Sequence, residues 1–147
     1  MTELSTYDAL HAAASVLKEH DKPFEIVIRG HCMEPVLLDG ERVLVTPGAR
    51  LRAGDIIVFL SCSGGFTSHR LLGRTVTTRG ARWMSRPDNS AMIDGLLIRE
   101  QIIGKVTRNL SRRTEVHTGG VRRLLSRVAL LQNILAMGLR KLTVSER

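Results

Sequence analysis

Two side chains in this sequence of 147 residues have the types needed to break an acyl bond together. Cys32 sits in Arg29-Gly30-His31-Cys32-Met33-Glu34-Pro35, between a glycine that can bend the backbone and a proline that ends the bend. His69 sits in Ser68-His69-Arg70, thirty-seven residues later. A free thiol is a weak nucleophile at neutral pH because little of it is thiolate; an adjacent imidazole accepts the proton and stabilises the anion. Cys32 is therefore read as a nucleophile and His69 as its general base, in peptide-bond cleavage. Acyl transfer also needs donors for the developing oxyanion, and the turn from Gly30 to Met33 can aim the backbone N–H of Cys32. A third group usually orients the imidazole. Asp88 and Asp94 are the candidates, both in one loop, and their spacing does not choose between them. Taken alone, one cysteine and one histidine are a weak signal, since a lone cysteine is more often a small buried hydrophobe.

The elements that must position these groups are legible as patterns. Ser5-Thr6-Tyr7-Asp8 resembles a capping box, and Tyr7, Leu10, Ala14 and Leu17 recur at helical spacing. This predicts a helix over 5–20, stopped before Pro23. Phe24 to Ile28 alternates and is β-branched, so it reads as a strand leading into the cysteine turn. Arg42 to Val45, the apolar run Ile56 to Leu60, and Phe66 to Leu72 read as further strands, the last carrying His69 after a turn at Ser63-Gly64-Gly65. Arg74 to Thr78 and Ala81 to Ser85 look like another hairpin around Arg79-Gly80. Pro87-Asp88-Asn89-Ser90 is a loop, and Leu96 to Ile98 and Ile102 to Val106 are the last short strands. Short strands with turns every eight to twelve residues predict an all-β sandwich or barrel.

Polar, loop-like residues from Asn109 to Gly120 separate this body from a predicted helix over 121–142. Val121, Leu124, Leu125, Val128, Leu131, Leu135 and Leu142 fall on one of its faces. Arg122, Arg123, Arg127, Arg140 and Lys141 lie near its ends. The charge is divided in the same way. Of the net +8, residues 108–147 carry +7 and residues 1–107 carry +1. A neutral body with a basic tail points to nucleic acid, an anionic membrane surface or an acidic partner. Aromatic residues are only 3% of the chain. Stacking platforms are therefore scarce, which argues against nucleic acid. The tail helix is expected to pack on its own domain or a second copy, or to dock on an anionic membrane. The two cysteines do not form a disulfide framework. No basic start followed by an apolar run marks a secretory signal, and no apolar stretch reaches the length of a membrane span. A cytoplasmic protein is expected, with a homodimer or a peripheral contact at the inner membrane face as partner states. No cofactor or metal is expected, because His11, His20 and His117 lack ligand spacing.

Gly30-His31-Cys32-Met33-Glu34-Pro35 resembles the nucleophile box of the signal peptidase and LexA-type peptidase superfamily, whose usual form is Gly-x-Ser-Met-x-Pro. Four further words match in order. Asp39-Gly40-Glu41-Arg42-Val43-Leu44-Val45 is similar to the "Gly-Asp-x-Val-x-Val" segment, and Gly54-Asp55-Ile56-Ile57-Val58-Phe59 to the "Gly-Asp-Ile-Val-x-Phe" strand. His69-Arg70-Leu71-Leu72-Gly73 stands where that superfamily has "Lys-Arg-Val-Ile-Gly" or, in its archaeal and endoplasmic reticulum branch, "His-Arg-Val-Ile". Asp88-Asn89, Asp94 and Ile103-Gly104-Lys105-Val106 resemble the closing box. The resemblance spans roughly residues 24–107. It implies Cys32 as nucleophile, His69 as base, Asp94 as the acid orienting the histidine and Asp88 as a residue holding the site together. Gly30, Met33 and Pro35 would contact substrate.

The implied fold is a small antiparallel β-barrel of the signal peptidase/LexA type, with an N-terminal helix and a C-terminal amphipathic helix. The expected organisation is a catalytic domain over 1–110 and a basic linker and helix over 111–147. Cysteine replaces the usual serine, and Gly30 stands where signal peptidases carry an oxyanion-holding serine. Neither an N-terminal anchor nor a DNA-binding domain is expected ahead of the matching words. The implied activity is that of a small soluble enzyme cutting a leader or signal-like segment, with small residues before the cut. A peptide-binding module that has lost turnover and a self-cleaving regulator are the alternatives.

The remaining chemistry-bearing residues are read as structural. Cys62 ends an apolar strand, His31 should face away from Cys32, and Arg79, Arg82 and Arg86 around the single Trp83 mark a solvated hairpin.

Overall fold

A computed structural model describes residues 6–19, 21–61, 65–117 and 119–144. The expectations for Ser5, His20, Cys62, Ser63 and Gly64 fall outside these residues. Helix α1 spans Thr6–Glu19. Strands follow at Phe24–Val27 (β1), Arg42–Thr46 (β2), Ile56–Leu60 (β3), Phe66–Thr77 (β4), Gly80–Arg86 (β5), Ile102–Asn109 (β6) and Thr114–Glu115 (β7), and helix α2 spans Gly120–Val144. The strands form one seven-stranded sheet in the order β1-β2-β6-β3-β4-β5, with β7 paired to β6. All the strand pairs are antiparallel.

The class and the two flanking helices are those read from the sequence. The sheet is open: β1 and β5 are its two ends and do not pair with each other. The structure differs from the sequence reading at three places. The stretch Phe66–Thr77 is one strand rather than two, because its register slips between Leu71 and Gly73 without breaking the ladder. A bulge of this kind bends a strand while the pairing resumes beyond it. Leu96 to Ile98 forms only an isolated bridge, Trp83 to Leu97, and β7 arises inside the stretch read as a loop.

All five residues of β3 are buried, because each face of the sheet has its own core there. Ile56 and Val58 join Val43, Val45, Met33, Leu37, Ile103 and Val106, and Ala14 of α1 covers that cluster. Ile57 and Phe59 join Leu71, Leu97 and Ile102 on the opposite side. Alternation along a strand produces this division. Gly104 lets β6 lie close to β2: a Cβ there would stand 2.7 Å from the Thr46 carbonyl oxygen.

Helix α2 packs on a third cluster, Leu72, Met84 and Ala129, with Leu130, Ile134 and Met137 beside it. Gly73 permits the approach, since a Cβ there would stand 2.6 Å from Leu130. The face that meets the sheet is not the stripe picked out by the sequence. Val121, Leu124, Leu125, Val128, Leu131 and Leu135 are all exposed. Among the described residues, no helix is long and apolar enough to cross a membrane.

Candidate active site

The cysteine turn is built by short-range main-chain bonds. The amide of Glu34 donates to His31 O at 3.1 Å, and those of Val36 and Leu37 donate to Met33 O at 2.9 and 3.0 Å. Gly30 has φ +83°, a conformation that a side chain would strain. Its amide donates to Asp39 Oδ1 at 2.8 Å, which ties the start of the turn to the far end of the same β1–β2 loop. Asn89 clamps the turn from the other side. Its side-chain amide donates to His31 O at 2.7 Å and its main-chain amide to Cys32 O at 3.3 Å. The N–H groups of Cys32 and Met33 are taken by no main-chain acceptor among the described residues.

Cys32 is a free thiol, half-buried. Its Sγ lies 4.0 Å from the carbonyl oxygen of Ser68, the residue before His69. Among the described residues no hydrogen bond joins the thiol to the His69 imidazole, although the structure brings it beside the histidine strand. Burial pushes the Cys32 thiol up. The nearby charges of Asp94 and Asp88 push the same way, while the N–H groups of Cys32 and Met33 oppose them. The resting thiol is therefore protonated at neutral pH. Alkylation of Cys32 by iodoacetamide should run slower at pH 7 than that of a free cysteine. It should rise through a midpoint above the ordinary thiol value of 9.0. Rapid labelling at pH 7 with a midpoint below neutrality would contradict this.

His69 is buried at 9% exposure. Its ring stands edge-on to Phe59, with centroids 5.8 Å apart. Nδ1 lies 2.7 Å from Asp94 Oδ2. An ionised carboxylate only accepts, so Nδ1 carries a hydrogen, and in the neutral imidazole Nε2 keeps its lone pair. Ser85 Oγ donates to the same Asp94 oxygen at 2.7 Å, and Ser85 is fully buried.

Asp88 serves a different partner. Arg70 donates to it through Nε at 2.6 Å and Nη2 at 2.5 Å, and through Nη1 to Gly54 O at 2.6 Å. Arg122 of α2 lies 3.6 Å from Asp88 Oδ2. Of the two acids left open by the sequence, Asp94 meets the histidine and Asp88 meets the arginine. Breaking a buried ion pair from one side strands the other charge. Asp88→Ala should therefore lower unfolding stability by about 3–5 kcal/mol in urea titration. An Arg70→Met/Asp88→Leu double variant should recover most of that loss. A cost under about 1 kcal/mol for the single variant would place this pair in the weak, solvated class.

A groove of about 260 Å³ opens beside the thiol. Its walls are Ile26 to Arg29 on one side and Phe66 to Ser68 on the other, with Cys32 and Met33 between them. Both walls carry free strand edges. β1 ends the sheet, and β5 pairs with β4 only from Arg70 onward. Met33 lines the groove from a fully buried position, whereas Pro35 lines a separate cavity against α2 with Arg70 and Arg122. His31 faces solvent, 2.7 Å from Glu34.

Sequence reasoning missed Ser85 and the groove walls, and gave Asn89 no clamping role. The free edges could have been found only from the pairing. Among the described residues, no group of three or more His, Cys, Asp or Glu side chains is placed to hold a metal ion. A family model described as Peptidase S24-like matches residues 1–107. No curated protein matches the chain.

Proposed function

The chain belongs to the Peptidase S24-like family, and from that premise we propose that it is a thiol endopeptidase acting on an extended segment of a peptide or protein. The observation that carries this reading is the Asp94–His69 bond beside a half-buried thiol at the end of a strand-edged groove. An extended peptide pairs with free strand edges through its main chain, and alternate side chains enter the wall between them. Such a segment would lie between β1 and the start of β4, with its scissile carbonyl over Cys32.

Catalysis would begin when Sγ leaves the Ser68 carbonyl and gives its proton to Nε2 of His69. Catalytic hydrogen bonds often tighten only when substrate is bound. The thiolate attacks the carbonyl carbon, and the oxyanion receives the N–H groups of Cys32 and Met33. His69 then protonates the leaving amine, and water activated by the same imidazole hydrolyses the thioester. Asp94 holds the ring and stabilises the imidazolium. Leader or signal-like segments fit the apolar groove, whose rim includes the exposed Val27 and Phe66. A catalytic thiol is best kept in a reducing compartment, which agrees with a cytoplasmic site of action.

A second reading, a peptide-binding module without turnover, rests on the raised thiol and its missing bond to the imidazole. Incubating the full chain with a library of extended peptides decides between them. Mass spectrometry should find paired cleavage products and a transient adduct of one acyl fragment on Cys32. Peptides that are retained but never cut, under reducing conditions and long incubation, would select the binding module. Fragments of the chain itself would select a self-cleaving regulator.

A further inference from the structure

Helix α2 carries two features that the peptidase reading does not use, and they adjoin. Between α2, the middle of strands β4 and β5, and the β2–β3 loop at residues 50–53 lies a cavity of about 460 Å³. Arg50, Arg52, Arg74, Arg123 and Arg127 line it together with Trp83, and no acidic side chain does. None of these five arginines belongs to a salt bridge among the described residues, although six other cations of the chain, lysine or arginine, do. The Nε of Arg123 is buried without a hydrogen-bond partner. Gathering five guanidinium groups around one space costs repulsion unless an anion enters it. Phosphate oxygens match the guanidinium fork in charge and geometry.

The second feature is the stripe on the outward face of α2. Leu124, Val128, Leu131 and Leu135 are 63%, 43%, 60% and 67% exposed. At 1.5 Å per residue, the stripe from Val121 to Leu135 is about 21 Å long and uncharged. At 100° per residue, Leu124 and Leu131 lie next to Arg127 around the helix, so the stripe runs along one lip of the arginine cavity. An apolar helix face edged by basic residues matches the boundary between acyl chains and anionic headgroups.

We propose that α2 and the arginine cavity form a docking surface for an anionic bilayer. The stripe enters the acyl boundary, and the five arginines receive headgroup phosphates. The sequence left membrane, second copy and self-packing open for this helix. The unpaired arginine cluster, contributed mostly by the body of the protein, favours the membrane. It lies outside the catalytic groove and does not depend on the peptidase reading.

The test is co-sedimentation of the full chain with vesicles of phosphatidylcholine alone or with about one-third phosphatidylglycerol, at low and high salt. The chain should pellet with the anionic vesicles at low salt and be released by high salt. Arg50→Gln/Arg74→Gln should weaken that partition roughly thirtyfold, at about 1 kcal/mol per basic residue near the surface. Leu124→Ser/Leu131→Ser should weaken it at least tenfold by removing buried apolar surface, at about 25 cal/mol per Å². These positions are exposed, and thermal melts monitored by circular dichroism should leave both variants folded. Four results would overturn the proposal. Two are a chain that stays in solution with anionic vesicles and one that binds them equally well without the arginine pair. Saturation by inorganic phosphate without vesicle binding would assign the cavity to a free anion. A dimer that the leucine variant dissociates, again without vesicle binding, would assign the stripe to a second copy.

Discussion

Cys32→Ala is expected to abolish cleavage while leaving the fold and the groove in place. In enzymes that use an activated nucleophile, deleting that group alone removes roughly a million-fold of turnover, because base and nucleophile act as a unit. The same scale applies if Cys32 attacks the substrate, and the residual rate should be at the limit of detection. The structural cost is small, since Cys32 is only part-buried against the first core and the turn is held by main-chain bonds and Asn89. Stability should change by about 1 kcal/mol or less. Peptide binding, carried by the strand edges, should survive, so the variant becomes a trap for substrate. Mass spectrometry of peptide products and binding of the uncut peptide read both quantities. Equal cleavage by wild type and variant would remove Cys32 from the chemistry, whatever its neighbours.

What made the fold legible was period and punctuation. Ile56 to Leu60 is five apolar residues between turn signals, and it forms the doubly covered strand that such a run implies. The long strand through Gly73 was not legible as one piece. The two readings broke at Gly73, where the pairing slips by a bulge and resumes, and where Leu130 lies too close for a Cβ. The openness of the sheet was invisible for a related reason, since alternation records burial and not whether the end strands meet. In α2 the periodicity was real but its partner was misassigned. The strongest apolar stripe faces outward, while the face with the buried Ser126 and Ala129, flanked by Leu130, Ile134 and Met137, meets the body. Small residues let a helix lie close to a sheet, and a hydrophobicity count gives them little weight.

The candidate site was legible in its residue types and less so in its contacts. Cys32, His69 and an acid could be named, because each carries chemistry of its own. The choice between Asp94 and Asp88 depends on which side of a loop faces which strand. Adjacent positions on β4 point to opposite faces, so His69 and Arg70 each take one acid. Ser85 and Asn89 act through hydrogen bonds that join segments far apart in the chain. A serine in a strand and an asparagine in a loop have many ordinary uses, so nothing in their local sequence marks them.

The contact between Asp94 and His69 makes the second large prediction. Asp94→Asn preserves shape but exchanges an acceptor for an amide that can also donate. Such an amide permits Nδ1 to become the acceptor, which moves the ring hydrogen to Nε2, the atom that takes the thiol proton in the proposed mechanism. In the serine-protease triad the equivalent change lowers turnover about ten-thousandfold through the wrong tautomer. A loss of about that size is expected here in kcat, with KM little changed, because Asp94 lines no wall of the groove. Its effect on the thiol runs the other way. The negative charge of Asp94 helps to hold the Cys32 thiol high, so removing it should let the alkylation midpoint fall. Slower turnover and an easier thiolate with peptide binding retained cannot come from simple unfolding, which would also expose the thiol but would abolish binding. If Asp94→Asn keeps turnover within about tenfold of wild type, the imidazole does not depend on this acid, and the acyl-transfer assignment of His69 fails with it.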